Sequence, residues 1–276
     1  MAHTSVNSEN PPIYNAPQEP RTRRFRTFRV VAALILRETG SRETRTSLGF
    51  LWQMIDPIAT VAVLSFAFGL LMKTPRLGTN FELYYVTGIV PFHMYAQVSS
   101  KVASSIRFSR SLLGFPAVTV IDALMARFLL NVFINILVFV ALIVGIIWHY
   151  QLRISPDIGS IVLSLTMAAS VGLGVGTLNS VLFLASPTYE SLWAIVTRPM
   201  ALISGALFLI TDLPEYIFKY LKWNPVAMIL GEMRHAFYPT FDASFILPGY
   251  VFLFSGICLA LGLIGLHSYV FDALEK

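Results

Sequence analysis

Residues 125–148 read MARFLLNVFINILVFVALIVGIIW, a run of 24 residues in which Arg127 is the single charged side chain. A helix crosses the hydrocarbon core of a bilayer with about 20 mainly apolar residues, so this run predicts a transmembrane helix. Five more stretches have a comparable length and character, at 51–72, 81–100, 159–185, 192–210 and 245–269. The sequence therefore predicts an all-α polytopic membrane protein with six transmembrane helices.

The overall composition agrees with an exterior that faces lipid. Of the 276 residues, 55% are hydrophobic and 13% are charged, and the mean hydropathy is +0.68. Soluble domains carry about 25% charged residues, so this chain lacks the polar surface that a soluble protein of its length needs. Cys258 is the single cysteine and lies in an apolar run, which leaves no pair for a disulfide or a thiolate metal cluster.

The basic residues predict how the chain is oriented. Eight of the 20 Lys and Arg lie from Arg21 to Arg45, before the first apolar run. A juxtamembrane basic segment is typical of the cytoplasmic face beside anionic lipid and does not indicate nucleic-acid binding. With both termini inside, the cytoplasmic segments hold fourteen Lys and Arg and the outer segments six, which predicts cytoplasmic termini. The polar, proline-rich residues 1–22 are expected to form a disordered cytoplasmic tail, followed by a transmembrane domain over 23–276.

Three connecting segments contain enough apolar side chains to predict more than simple turns. Residues 23–38 place apolar and basic side chains on opposite faces, which predicts an amphipathic helix lying in the membrane interface. The cytoplasmic segment 101–122 mixes charges with apolar anchors. The outer segment 211–244 has three prolines and two apolar clusters, so we expect two short helices at the outer interface, between the fifth and sixth spans.

Three charged residues fall inside predicted spans, close to their cytoplasmic ends: Asp56, Arg127 and Arg198. Charges within a bilayer are costly and are therefore candidates for function. One interpretation is that they reach the interface and that Asp56 pairs with one of the arginines. The other is a charged vestibule that receives an anionic head group. Separately, Gly172 and Gly176 have the spacing of a close helix contact, within one chain or between two copies.

The sequence contains none of the common catalytic motifs. No lysine follows a glycine, so the P-loop that binds nucleotide phosphates is missing, and the five histidines are scattered over different segments. These observations predict a chain that is not an enzyme and binds no cofactor or metal itself.

Short motifs along the chain resemble those of a known family. They are Leu36-Arg37-Glu38 with Arg45, Leu48-Gly49-Phe50-Leu51-Trp52 with Pro57, Gly88-Ile89-Val90-Pro91-Phe92, Ile121-Asp122-Ala123 with Ala126-Arg127, and Trp223-Asn224-Pro225 with Arg234. Together they resemble type-2 ABC transporter permeases over about residues 25 to 272. Within that family the chain is most similar to the capsular-polysaccharide export permeases of Gram-negative bacteria.

The resemblance implies a multi-pass permease of the bacterial inner membrane that exports a lipid-linked capsular polysaccharide. It implies a homodimer docked on two copies of a cytoplasmic ABC ATPase, which would bind ATP and Mg²⁺, and onward periplasmic and outer-membrane export proteins. It also assigns roles to residues. The substrate entrance and pathway would comprise Arg26, Arg29, Arg37, Asp56, Arg127 and Arg198. A coupling helix seated on the ATPase would comprise Ile106, Arg107, Arg110, Leu112, Leu113 and Phe115. A periplasmic gate would comprise Trp223, Asn224, Pro225 and Arg234.

Other functions stay open at this point. The cargo of such a permease could instead be O-antigen, teichoic acid or a small drug. A membrane-embedded glycan transferase would need polar groups converging at one interface, for which the outer segment offers Asp212, Glu215, Glu232, His235 and Asp242. A passive structural subunit is disfavoured because it would have little use for charges inside the membrane.

Overall fold

The computed structural model describes residues 26–39, 47–113 and 119–274, and the regular structure in these ranges is helical. Within these ranges ten α-helices follow one another, with a short 3-10 helix at Ile210–Asp212. They are α1 (Arg26–Thr39), α2 (Ser47–Leu71), α3 (Phe81–Ala103), α4 (Ser105–Leu113), α5 (Val120–Tyr150), α6 (Ile158–Ala185), α7 (Pro187–Ile203), α8 (Glu215–Leu221), α9 (Pro225–Phe237) and α10 (Pro248–Leu274).

The six long helices α2, α3, α5, α6, α7 and α10 overlap the six predicted spans. By length and composition, three helical stretches of the described chain suffice to cross a membrane: Val120–Tyr150, Ile158–Ala185 and Pro248–Ser268. A shorter apolar helical stretch covers Ile55–Leu71. The all-α class is therefore confirmed, and the number of six spans stays a prediction.

Polar caps determine where several of these helices begin. Helix α5 starts at Val120 rather than at the predicted 125, because the Thr119 hydroxyl accepts from the Asp122 amide and the Asp122 carboxylate accepts from the Thr119 amide. Asn80 caps α3 by accepting from the Leu83 amide at 2.7 Å, and Asp157 caps α6 through the Gly159 amide at 3.0 Å. Hydropathy does not register such caps, so α5 begins about one turn before the apolar run from which the span was predicted.

Helix α6 is the centre of the fold and packs along α3 on one side and α10 on the other. Gly172 and Gly176 let α3 approach so closely that an added Cβ would lie 2.9 Å from Val98 and 2.8 Å from the Ser99 carbonyl oxygen. On the opposite face, Gly174 lies against the backbone of Ser255 in α10. The small-residue pair is therefore used for packing within one chain.

Helix α7 ends at Ile203, so the predicted helical span over 192–210 is wrong in its last third. After Ile203 the chain turns through Gly205, whose φ of +78° favours glycine. Ser204 and Ala206 are both 1% exposed, so this turn is buried in protein. Irregular backbone at membrane depth is tolerated where protein covers it.

The segments around the long helices contain the short helices that the sequence predicted. The outer segment forms α8 and α9, and α9 packs into the core against α3 and α6. Helix α1 occupies the predicted amphipathic segment and packs against α5, with Val31 buried and Leu36 exposed. Its position in the membrane interface stays a prediction.

Candidate functional site

A cleft opens between α2, α3 and α7 and encloses a cavity of about 470 Å³. Helix α3 lines it with residues between Phe92 and Lys101, and α2 adds Asp56. Helix α7 contributes Glu190, Trp193, Ala194, Thr197 and Arg198, which recur every three or four residues and therefore form one face of the helix. The cleft is thus a single groove with one wall made by one face of α7.

The walls of the cleft combine aromatic rings with charges of both signs. Trp193 and Arg198 of α7 line it, and Tyr95 of α3, which is 2% exposed, borders it. The Asp56 carboxylate lies 3.8 Å from Nδ1 of His93, a contact that is an ion pair when the imidazole is protonated. The Asp56 carboxylate thus lies against His93, whereas one interpretation of the sequence paired it with an arginine. Aromatic faces, a carboxylate and a guanidinium together suit a polar ligand that also presents apolar faces, such as a sugar chain.

The structure brings two of the three predicted membrane charges, Asp56 and Arg198, into this cleft, but not Arg127. Arg127 is 4% exposed and donates from Nη1 to the Ser104 hydroxyl at 2.8 Å and to the Lys101 carbonyl at 3.2 Å. Its guanidinium lies 4.0 Å from the centre of the Phe108 ring. Arg127 therefore holds the junction between α3 and α4, a role that no local sequence signal indicates.

Helix α4 occupies the predicted coupling segment and is tied to α7 by a bidentate ion pair. Arg107 donates to Glu190 over 2.6 Å from Nη2 to Oε2 and over 3.2 Å from Nη1 to Oε1. The hydrogen bond to Glu190, and then the charge of that carboxylate, raise the pKa of Arg107 above its ordinary value. Glu190 also lines the cleft, so one residue joins the coupling segment to the groove. Sequence reasoning missed Glu190.

The remaining predicted residues at this end are only partly described. Ile106 is half-buried, and Arg29 is exposed on α1. The side chains of Arg26, Arg37, Arg110, Leu112 and Leu113 lie outside the described part of the chain, although their backbones belong to α1 and α4, and Phe115 lies outside it altogether.

At the other end of α7, the predicted gate residues connect α9 to the end of α7. Asn224 caps α9 by accepting from the Val226 amide at 3.0 Å, and Pro225 opens the helix. The Asn224 amide also donates to the Ser204 hydroxyl at 3.0 Å, which ties α9 to the end of α7. Trp223 is exposed, and its carbonyl accepts from the Tyr250 hydroxyl at 3.0 Å.

Arg234 completes this junction from within α9. It is 2% exposed and donates to the carbonyls of Phe208 at 3.0 Å and Ala206 at 3.3 Å, both in the turn that follows α7. Its guanidinium lies 5.3 Å from the centre of the Tyr84 ring in α3. A guanidinium presents several donors in a rigid fork, so one side chain can bind two carbonyls that no regular helix satisfies.

We expect Asn224→Ala to lower the free energy of unfolding by about 1 kcal/mol or slightly more, because it removes both a helix cap and a tether. Ser204→Ala removes only the tether and should cost less. Thermal unfolding of the detergent-purified protein measures both changes. An effect of Ser204→Ala equal to that of Asn224→Ala would show that the cap contributes nothing.

The carboxylates and the histidine considered for a transferase lie in α8, in α9 and in the segments beside these helices. Asp212 pairs with Arg76 at 3.7 Å, Glu232 is buried in α9, and Asp242 caps a turn at the Ser244 amide. Within residues 26–39, 47–113 and 119–274, no three His, Cys, Asp or Glu side chains gather in a way that could hold a metal ion.

The described chain is thus a helical protein with apolar helices long enough to cross a membrane and a cleft between three of its helices. Comparison with known families agrees: residues 29–238 match the family described as ABC-2 type transporter. The match covers most of the chain, which therefore belongs to the ABC-2 type transporter family. The family predicted from the sequence motifs is confirmed.

Curated relatives match almost end to end. The polysialic acid transport protein KpsM of Escherichia coli is 26% identical over 237 residues, covering 84% of this chain and 90% of KpsM. The capsule polysaccharide export inner-membrane protein CtrC of Neisseria meningitidis serogroup B is 26% identical over 239 residues, covering 85% and 89%. BexB of Haemophilus influenzae, also named a capsule polysaccharide export inner-membrane protein, is 23% identical over 244 residues, covering 87% and 91%.

Proposed function

We propose that this chain is the inner-membrane permease subunit of an ATP-driven exporter that moves lipid-linked capsular polysaccharide from the cytoplasm to the periplasm. The observation that carries the proposal is the match to three differently named relatives over 84–87% of the chain, since the names of all three refer to capsule export or polysialic acid transport. A match of that extent covers the cleft, the coupling helix and the α7–α9 junction together.

In this proposal all six long helices cross the membrane and both termini are cytoplasmic. The Lys and Arg bias supports the orientation. It places α4 and the open side of the cleft near Lys101 at the cytoplasmic surface, and α8 and α9 at the periplasmic side. The amphipathic α1 lies in the cytoplasmic interface, where its arginines Arg26, Arg29 and Arg37 meet the anionic linkage of the lipid carrier.

The cleft then receives the cargo. Arg198 attracts the anionic linkage, Asp56 and His93 bond to sugar hydroxyls, and the ring of Trp193 contacts sugar faces. This proposal leaves Arg127 out of the cargo path, because its guanidinium is committed to the α3–α4 junction. Arg127 instead keeps α4 in position for docking.

The energy comes from a separate subunit. We propose that two copies of the chain pair with two copies of a cytoplasmic ABC ATPase, which binds ATP and Mg²⁺ and contacts the coupling segment through Arg110, Leu112, Leu113 and Phe115. Exposed apolar faces on α2 and α7, including Phe66 and Ile195, are available to the second copy or to lipid. Trp223, Asn224, Pro225 and Arg234 form the periplasmic gate, beyond which periplasmic and outer-membrane export proteins continue the path.

The test is a deletion strain of the source organism, assayed for surface and intracellular capsular polysaccharide with extraction of the lipid-linked form. We expect surface polymer to disappear while finished lipid-linked polymer accumulates inside, and a plasmid copy to restore export. Normal surface capsule would overturn the capsule assignment and direct the same assay to O-antigen. Loss from both places without accumulation would favour a transferase instead.

A further inference from the structure

Helix α7 is attached at both ends to the segments that flank the transport path. At its first turn, Glu190 is bound by Arg107 of α4, and the Tyr189 hydroxyl donates to the Asn179 side chain of α6 at 3.1 Å. Directly after its last residue, the Ser204 hydroxyl accepts a hydrogen bond from the side chain of Asn224, the residue that caps α9. The helix thus connects the cytoplasmic coupling segment to the junction at the opposite end of the molecule.

Between these attachments α7 is loosely held within the chain. Its packing partners are the end of α6 and one side of α3, where the Tyr95 hydroxyl contacts the Met200 sulfur at 3.7 Å. Leu192, Ile195 and Val196 are each more than half exposed. A helix with few buried contacts can shift at low cost. Pro199 removes one internal hydrogen bond of α7, and the hydrogen bonds that remain transmit such a shift along its length of about 25 Å.

The Arg107–Glu190 pair contributes little to stability, but its geometry is suited to transmitting a movement from α4 to α7. Both side chains are substantially exposed, at 55% and 36%, and exposed ion pairs contribute about 0–1 kcal/mol to stability. A bidentate guanidinium–carboxylate pair nevertheless fixes both distance and orientation. Arg127 fixes the α3–α4 junction at Ser104, one turn before Arg107, so a displacement of α4 pivots there and reaches α7 through Glu190.

We propose that Glu190 is the positioning residue through which α4 moves α7, so that displacement of the coupling helix reaches the cleft wall and the gate. The inference rests on the proposed function, in which the ATPase docks on α4. It assigns Arg107 an internal partner, whereas sequence reasoning placed it among residues that meet the ATPase. The wall residues Trp193, Thr197 and Arg198 lie on the same helical face as Glu190 and move with it.

The test is a charge exchange, read as surface capsule in the deletion strain. We expect Arg107→Glu and Glu190→Arg each to lower export about tenfold, the range of a coupling free energy between two sites. The double variant, which restores the pair with reversed charges, should recover at least half of the wild-type export. Each variant should still co-purify with the cognate ATPase in wild-type amounts, and the ATPase in the single variants should hydrolyse ATP without matching export.

Arg76→Glu is the matched control, because Arg76 is also an exposed arginine paired with a carboxylate, Asp212, away from the cleft. It should export normally. Normal export by both single variants would overturn the inference. So would a double variant that stays inactive, since the reversed pair would then not replace the original one. Loss of the co-purified ATPase in Arg107→Glu would also overturn it, because Arg107 would then contact the ATPase.

A second measurement does not depend on the cargo. Cysteines at positions 107 and 190, in a Cys258→Ser background, should be joined by a short bismaleimide in native membranes. Absence of this crosslink would overturn the pairing. Failure of the wild-type chain to restore capsule would instead overturn the proposed function, whatever the crosslink shows.

Discussion

Arg234→Ala is expected to lower the free energy of unfolding by about 4 kcal/mol, because two buried carbonyls lose hydrogen bonds to a charged donor at once. The Phe208 and Ala206 carbonyls lie in a turn that protein covers, so water cannot readily replace the guanidinium. For a chain of this size the loss corresponds to a fall in melting temperature of about 10 °C. The gate should also lose its connection to α7, and export should fail.

Thermal unfolding in detergent, followed by fluorescence size-exclusion chromatography, measures the change. Arg153→Ala is the matched control, because Arg153 is exposed and should change the melting temperature by little. Arg234→Lys should lie between the two, since an ammonium cannot bind both carbonyls with the fork geometry. A melting temperature of Arg234→Ala equal to that of Arg153→Ala would contradict this account of the junction.

Gly174→Ala is expected to cost about 3 kcal/mol, because the added methyl group would collide with backbone rather than with a movable side chain. The atom it meets is the carbonyl oxygen of Ser255 in α10. The same contact region contains the hydrogen bond that the Ser255 hydroxyl donates to the Ser170 carbonyl. Separating α6 from α10 would strain both contacts.

Gly256→Ala provides the matched comparison. Gly256 follows Ser255 in α10, and an added methyl group at Gly256 would meet no heavy atom within 4 Å. Replacing an open helical glycine by alanine should leave stability unchanged or raise it by up to about 1 kcal/mol. Equal melting temperatures for the two variants would show that α6 and α10 are not in close contact at Gly174.

Much of the fold was predictable, because each long helix coincides with a long apolar run. The error at the end of α7 has a physical cause. Residues 204–210 read SGALFLI and are as apolar as a lipid-facing helix, yet they are buried or partly buried in the protein core. Hydropathy cannot distinguish burial in protein from burial in lipid. Gly205, with its positive φ, was the one local signal of a break.

The candidate site was predictable only in part. Asp56 and Arg198 reach the cleft because charges near the ends of spans at similar depth lie close together when their helices pack. Arg127 lies at a similar predicted depth but faces α4, and helix rotation is not readable from one sequence. Glu190 was missed because its partner, Arg107, is 83 residues away and the pair depends on tertiary packing. The Trp223-Asn224-Pro225 motif indicated the family. Its structural role, the hydrogen bond from Asn224 to Ser204, could be recognised only in the folded structure.

The end of α7 at Ile203 affects how the protein keeps the membrane impermeable to ions. In the proposed arrangement, the outer part of the permeability barrier beside α7 is the non-helical segment 204–209. Arg234 binds two carbonyls of this segment, those of Ala206 and Phe208. Such a segment can change shape by exchanging a few hydrogen bonds, whereas a continuous helix would have to tilt as a whole. On this proposal the outer exit widens locally, while the long helices around α6 stay packed.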